Sequence, residues 1–504
     1  MSYDKKKFIL AIDQGTTSSR IVIYNNSFTV IDSVQKHFDQ FFPKNGWVEH
    51  NAVEIWNDVK LLIQKILKKN KIEASQIYSI GIANQRETTV LWNKRTGKPV
   101  YNAIVWQDRR TTDICKHLKE KKLGKKIQNI TGLIIDPYFS ATKIKWILDN
   151  NAESKKLVKE NNLLFGTIDT WLLWNLTEKE SHITDITNAS RTMLYDSEKE
   201  EWSTELLKIL DIPKNILPKV VSNTYDFGTT NLFGAPIHIG GMAGDQQAAA
   251  IGQACFKKGQ TKSTYGTGCF LLMNIGKKFH LSKNKLLTTV AYKIDNQKMY
   301  CYEGSIFVAG SAIQWLRDKL FFFKDSKETE LLYSKANKNE NIMVVPALTG
   351  LGAPHWEPNA RGAIFGLTRD TSIAEIVKAT LDSLCYQTFD LIEGMEKDSG
   401  TKISEIRVDG GMTANNKFIQ SLSNILQIKI VKPNNIETTA LGVAYLASLS
   451  SRLTNNIDSK TKIWKSKNNY KAGNCYYPKI KESLIKNQIL KWKKTVTVLL
   501  KYYD

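Results

Sequence analysis

Two stretches far apart in the chain follow one plan, and no other feature narrows the fold as much. Near the start, the β-type apolar runs ILAID and RIVIYN flank the polar turn QGTTSS; beyond residue 260, KSTY and CFLLMNI flank GTG. Apolar runs joined by Gly and Thr read as β-hairpins. The pair points to a duplicated domain with an anion-facing hairpin in each copy. Two such hairpins alone would favour ordinary hairpins in a mixed protein, so the duplication needs further support.

Around them strand-like and helix-like segments alternate: FILAID, RIVIYN, a helix over AVEIWNDVKLLIQKILKK, then IYSIGIAN and TTVLWN. A second series follows Gly259, with TTVAYKI, KMYCYEGS and helices over SAIQWLRDKL and IAEIVKATLDSLCYQTFDLIEGM. This alternation predicts an α/β protein. At 504 residues the chain exceeds the usual single core, so two domains are expected, 1–255 and 256–504, with the active site in the cleft between them.

Composition removes several classes. A hydrophobic content of 42% with 12 Trp supports real cores rather than disorder. The net charge of +22 is dispersed along the chain, with no zinc-finger spacing or ribonucleoprotein aromatic motif, so no nucleic-acid partner is expected. Cysteines 115, 255, 269, 301, 385 and 475 lie far apart without CxxC pairs, which fits reduced thiols in a cytoplasmic protein. The first apolar run is cut by Asp13, and no run reaches membrane-spanning length, so neither a signal peptide nor stable membrane insertion is expected. The basic and apolar tail after residue 483 reads as a helix packed on the second domain.

The polar turns suggest the chemistry. Gly15, Thr16, Thr17, Ser18 and Ser19 offer backbone and hydroxyl donors to phosphate oxygens, and Arg20 offers a fixed fork. Asp13 is placed to hold hydrated Mg²⁺ against such phosphates. There is no GxxxxGK[ST], so a nucleotide site here is not a P-loop. VDGGMTANN reads as strand, Gly-Gly turn and helix, a form that lets backbone approach an anion or flat ring.

Taken in order, IDQGTTSSR, GWVEHN, NQRETTVLWN, AIVWQDRRT, DPYFSATKIKWILDN, TDITNASRTML, AGDQQAA, TYGTGCFLLMN, LTGLGAPHW, ARGAIFGLTR and VDGGMTANN resemble the glycerol kinases, within the FGGY carbohydrate kinases, from about residue 8 to about residue 450. The resemblance implies two duplicated ribonuclease H-like, actin-like ATPase domains around a cleft. It implies ATP-dependent phosphorylation of a terminal hydroxyl of glycerol, giving sn-glycerol 3-phosphate and ADP with Mg²⁺, in a homodimer. It places Arg86, Glu87, Tyr138 and Asp245 on the glycerol hydroxyls with Gln246 nearby in the substrate site, and Trp106 and Phe270 over its carbons. Asp245 is the expected general base, accepting the hydroxyl proton during in-line transfer. Its other reading, a helix N-cap ahead of QQAAAIG, does not exclude catalysis. For ATP the resemblance implies Thr16, Thr17, Ser18, Arg20, Gly266 and Thr267 at the phosphates, and Gly310, Gln314, Gly411 and Asn415 along the nucleotide.

The chain departs from some bacterial members at residues 228–237, GTTNLFGAPI, which is short and lacks the arginine of their sugar-bisphosphate loop. That inhibition is therefore not expected. Competing readings are a xylulose or gluconate kinase, a non-enzymatic ATP binder of the same superfamily, and a basic nucleic-acid binder.

Overall fold

The structure, a computed structural model, describes residues 7–337, 342–434, 437–450 and 474–503. The first sheet contains β1 (Phe8–Gln14), β2 (Ser18–Asn25), β3 (Val30–His37), β4 (Ile77–Asn84), β5 (Thr224–Thr230) and β6 (Ile237–Gly244), in the order β5-β6-β4-β1-β2-β3. The second contains β7 (Thr261–Tyr265), β8 (Cys269–Gly276), β9 (Leu287–Ile294), β10 (Gln297–Ile306), β11 (Glu405–Asp409), β12 (Lys429–Lys432) and β13 (Asn474–Tyr476), in the order β9-β10-β8-β7-β11-β12-β13.

The duplication is visible in the pairing. β1 runs antiparallel to β2 and parallel to β4; β7 runs antiparallel to β8 and parallel to β11. Each hairpin expected from the sequence thus lies inside its sheet, next to a parallel strand. All eight residues of β4 are buried, as they must be in a parallel strand covered on both faces. At the edge β3 is mostly exposed and carries Asp32, Gln35 and Lys36, residues that discourage further strand pairing.

Six helices position the site: α1 (Ser140–Asn150), α2 (Asp245–Gly252), α3 (Gly310–Asp318), α4 (Ile373–Ser399), α5 (Thr438–Ser450) and α6 (Glu482–Tyr503). The helix α5 comes from the second half of the chain yet packs on the first sheet. The contact is close because glycines face it: a Cβ on Gly81 would lie 2.2 Å from the Val443 carbonyl oxygen, and one on Gly241 would lie 2.4 Å from the Ala447 nitrogen. The tail helix α6 packs against α4, as the sequence suggests. Trp492 is buried, stacks on Tyr386 with ring centroids 5.6 Å apart, and donates from Nε1 to Asp390 at 2.7 Å. Among the described residues, no helix is long and apolar enough to cross a membrane.

Candidate active site

Each strand that ends at the cleft delivers one part of the site. At the end of β1, the Gly15 N–H donates to the Ser18 carbonyl at 2.9 Å and closes the first hairpin turn. Asp13 lies just before this turn, half-buried, and its carboxyl is pushed up to about 7. Burial is the main cause; Arg20 opposes it, and the neighbouring carboxylates of Asp245, Glu437 and Asp409 add to it. A carboxyl in that position gains from a cation. Among the described residues no group of three or more His, Cys, Asp or Glu side chains is placed to hold a metal; the donor here is the single Asp13 carboxyl, which suits a cation that keeps most of its own water, as Mg²⁺ does.

After β4 the chain turns sharply at Glu87, whose φ of +58° lies in the left-handed region. Successive residues in a strand face opposite sides; the turn is what allows adjacent Arg86 and Glu87 to serve one network. Arg86 donates from Nη1 to Glu303 at 2.5 Å and from Nη2 to Glu303 at 2.9 Å and to the Tyr138 hydroxyl at 3.3 Å. Its Nε lies 3.3 Å from Asp245. Glu87 accepts from Arg191 Nε at 2.6 Å. Burial raises the Glu87 carboxyl, while Arg191 and Arg86 oppose the rise. Burial likewise drives the Tyr138 phenol well above its ordinary value, which keeps it a neutral donor.

Tyr138 owes its position to a buried lysine on α1. Lys143 Nζ donates to the carbonyls of Pro137 at 2.7 Å, Tyr138 at 2.6 Å and Phe139 at 3.2 Å. Burial lowers its pKa to about 8. The aromatic walls meet around this loop: the Trp106 ring stands 5.6 Å from Tyr138 and 5.6 Å from Phe270, centroid to centroid. Trp106 Nε1 donates to Thr16 Oγ1 at 2.9 Å, so the first hairpin turn touches the aromatic wall directly.

Asp245 is the first residue of α2, with Gly244 as its cap, which corrects the reading of Asp245 as the N-cap itself. Its carboxylate accepts from the Gln246 backbone N–H at 2.7 Å. Burial raises its pKa, opposed by Arg86 and Lys262. Gln246 in turn accepts from the buried ammonium of Lys262, which also donates to Thr264 Oγ1 at 2.9 Å. The sequence-predicted polyol residues Arg86, Glu87, Trp106, Tyr138, Asp245, Gln246 and Phe270 therefore form one connected group.

The second hairpin opens a separate cavity of about 430 Å³. Gly266, Thr267, Gly310, Gln314, Gly411 and Asn415 all line it, together with Ile313, Thr329, Leu381 and Met412. Gly310 N–H donates to the Gly266 carbonyl at 2.9 Å and a Cβ there would lie 2.6 Å from that oxygen, so only glycine lets α3 begin on the turn. Gly410, at φ +91°, comes similarly close to Tyr265. Asn415 Oδ1 accepts from the Phe418 N–H at 2.9 Å and Nδ2 donates to Thr329 at 3.1 Å, so part of its bonding is structural.

The first-hairpin residues Thr16, Thr17, Ser18 and Arg20 do not line that cavity. Ser18 accepts from Gln35 at 2.7 Å, and Arg20 is held by Glu437 and Gln35. Sequence reasoning assigned no role to Glu303, Arg191, Lys262 or Lys143. For Glu303 and Lys143 the signal was an ionisable residue inside a strand or helix, as in KMYCYEGS and YFSATKIKW; Arg191 and Lys262, flanked by Ser and Thr, carried none.

Comparison with known proteins identifies the family and the fold. The FGGY family of carbohydrate kinases matches through its N-terminal domain at residues 8–252 and its C-terminal domain at residues 261–451. The chain is 54% identical over 446 residues to Glycerol kinase 1 of Clostridium tetani, covering 88% of this chain and 90% of that one. It is 49% identical over 491 residues to the glycerol kinase of a Marinomonas species, covering 97% and 98%. A solved Plasmodium falciparum glycerol kinase with ADP superposes with a TM-score of 0.88 at 36% identity, over 98% of each chain. A xylulose kinase from Lactobacillus acidophilus shares the fold, with a TM-score of 0.86 at 23% identity. The chain belongs to the FGGY family of carbohydrate kinases, among its glycerol kinases.

Proposed function

We propose that this enzyme transfers the γ-phosphoryl group of ATP to a terminal hydroxyl of glycerol, giving sn-glycerol 3-phosphate and ADP. The observation that carries the reading is the convergence of one acid, one guanidinium, one phenol and two aromatic walls beside the first hairpin turn. A small polyol needs hydrogen bonds for each hydroxyl and apolar cover for its carbons, and this set supplies both.

In the proposed reaction Asp245 accepts the proton of the terminal hydroxyl as its oxygen attacks the γ-phosphorus in line. The bond to the bridging oxygen of ADP breaks and its electron pair leaves with ADP. The Arg86 guanidinium, with Nε 3.3 Å from Asp245, favours the ionised base and partly offsets its burial. Trp106 and Phe270 exclude water from the acceptor. ATP takes the cavity of Gly266, Thr267, Gly310, Gln314, Gly411 and Asn415, with its phosphates toward Thr16, Thr17, Ser18 and Arg20. Asp13 would hold Mg²⁺ through water, and the ion would supply neutralisation of phosphate charge.

A cytoplasmic homodimer is part of the same reading, supported by the family and by six unpaired cysteines. So is the lack of sugar-bisphosphate control. The cavity beside the short 228–237 segment is lined by Leu232, Phe233, Gly234 and Ala235 with Glu73 and Gln64, and none of its lining residues is Lys or Arg.

The test is ADP release by the full chain with MgATP and glycerol, xylulose, gluconate, erythritol or no acceptor. Release with glycerol alone, unchanged by a sugar bisphosphate, is expected. Release without any acceptor would favour an ATP-binding role without a kinase reaction, and preference for a longer sugar would overturn the pocket assignment.

A further inference from the structure

Behind the glycerol residues lies a square of four buried charges. Arg86 pairs with Glu303, Glu303 with Arg191 at 3.0 Å, Arg191 with Glu87 at 2.6 Å, and Glu87 closes the square on Arg86 at 4.0 Å. All four side chains are at most 2% exposed. Two cations and two anions cancel, as buried charges require. Three of the four come from the first half of the chain. Only Glu303 comes from β10, inside the second sheet.

A guanidinium bound end-on by a carboxylate through both Nη atoms is fixed in plane and in direction. Glu303 binds Arg86 in this way, the remaining Nη hydrogens reach Gln247 at 3.2 Å and the Tyr138 hydroxyl at 3.3 Å, and the Nε edge faces Asp245 at 3.3 Å. The direction of that edge is therefore set from across the cleft.

We propose that Glu303 is a positioning residue for the polyol site: it aims the Arg86 guanidinium at the acceptor and the base, and so makes that aim depend on the second sheet being in place. The inference rests on the proposed glycerol reaction. It assigns no contact between Glu303 and substrate. Neither Arg86 nor Glu303 is among the residues that line the nucleotide cavity. Loss of the aim should then separate the two substrates kinetically.

Glu303→Gln would leave Arg191 with Glu87 alone and Arg86 with only Asp245 and the more distant Glu87, which threatens the fold itself. Glu303→Asp keeps the charge and withdraws it by one methylene, so it is the primary variant. Steady-state kinetics of both variants and the parent would be read with glycerol and with ATP varied in turn, beside thermal unfolding. For Glu303→Asp the KM for glycerol should rise about 10- to 100-fold while the KM for ATP stays within about twofold. A purely structural role would reduce the active fraction, lowering kcat and leaving both KM values in place. That result, or an equal rise in both KM values, would overturn the proposal. Absence of glycerol-dependent ADP release in the parent protein would instead reject the glycerol reading, and the inference with it.

Discussion

At the scale of single residues, the reading turns on Asp245. Burial raises its folded pKa above the ordinary carboxylate range, with Arg86 and Lys262 only partly offsetting that. The base must be ionised, so activity is lost as pH falls through this raised pKa. The acid limb of kcat/KM should lie above the ordinary aspartate range, and Asp245→Asn should lose at least about 100-fold in kcat while ATP binding, followed by calorimetry, is spared. Retained turnover in Asp245→Asn would move the base elsewhere. By linkage the same raised pKa makes this group's contribution to stability fall as pH rises from the ordinary aspartate range to the folded value. The residues of this site that the sequence displayed are those in short motifs: NQRET, AGDQQ, GTGCF. Glu303, Arg191 and Lys262 were not legible as partners, because each acts on a residue brought to it only by folding. Arg86 and Glu303 are 217 positions apart, and an acid in an apolar strand looks the same whether it meets a cation or solvent.

Among elements, the two hairpins were plain from alternation and turn residues, and each folds inside its sheet with its first strand paired to a parallel neighbour. The placement of α5 was not legible. An apolar helix late in the chain has no feature that says which sheet it will cover, and the glycines that receive it lie in β4, β6 and α2. Its crossing with α2 is glycine on backbone: a Cβ on Gly442 would fall 1.9 Å from the Ala248 carbonyl oxygen, and one on Gly252 would fall 1.8 Å from that of Thr438. Backbone cannot step aside as a side chain can, so the helices must separate. Since α2 begins with Asp245, separation also moves the base. Gly442→Ala should cost about 1–3 kcal/mol in denaturant unfolding and lower kcat as well. Full stability with full activity would show that the two helices tolerate a wider spacing.

Over the whole molecule, charge joins the two halves at several places, and the pair of Arg20 with Glu437 bears on nucleotide entry. Arg20, on β2, binds both carboxylate oxygens of Glu437, just before α5, and its Nε and Nη2 donate to Gln35 at 3.2 and 2.5 Å. Every edge of the guanidinium is thereby engaged. If Arg20 meets the terminal phosphates of ATP, as the family resemblance implies, the phosphate must displace Glu437, exchanging one anion for another across the cleft. The pair is partly exposed, 30% for Arg20 and 21% for Glu437, which limits its strength. Glu437→Gln removes the competing charge and should lower the KM for ATP about two- to fivefold. Arg20→Ala should raise that KM, and the double variant should match Arg20→Ala, because the competitor matters only while the guanidinium is present. A rise in the KM for ATP with Glu437→Gln alone would mean that Glu437 prepares Arg20 for the phosphate instead of competing with it. Additive effects in the double variant would uncouple the two residues and leave the bridge as a strut between the halves.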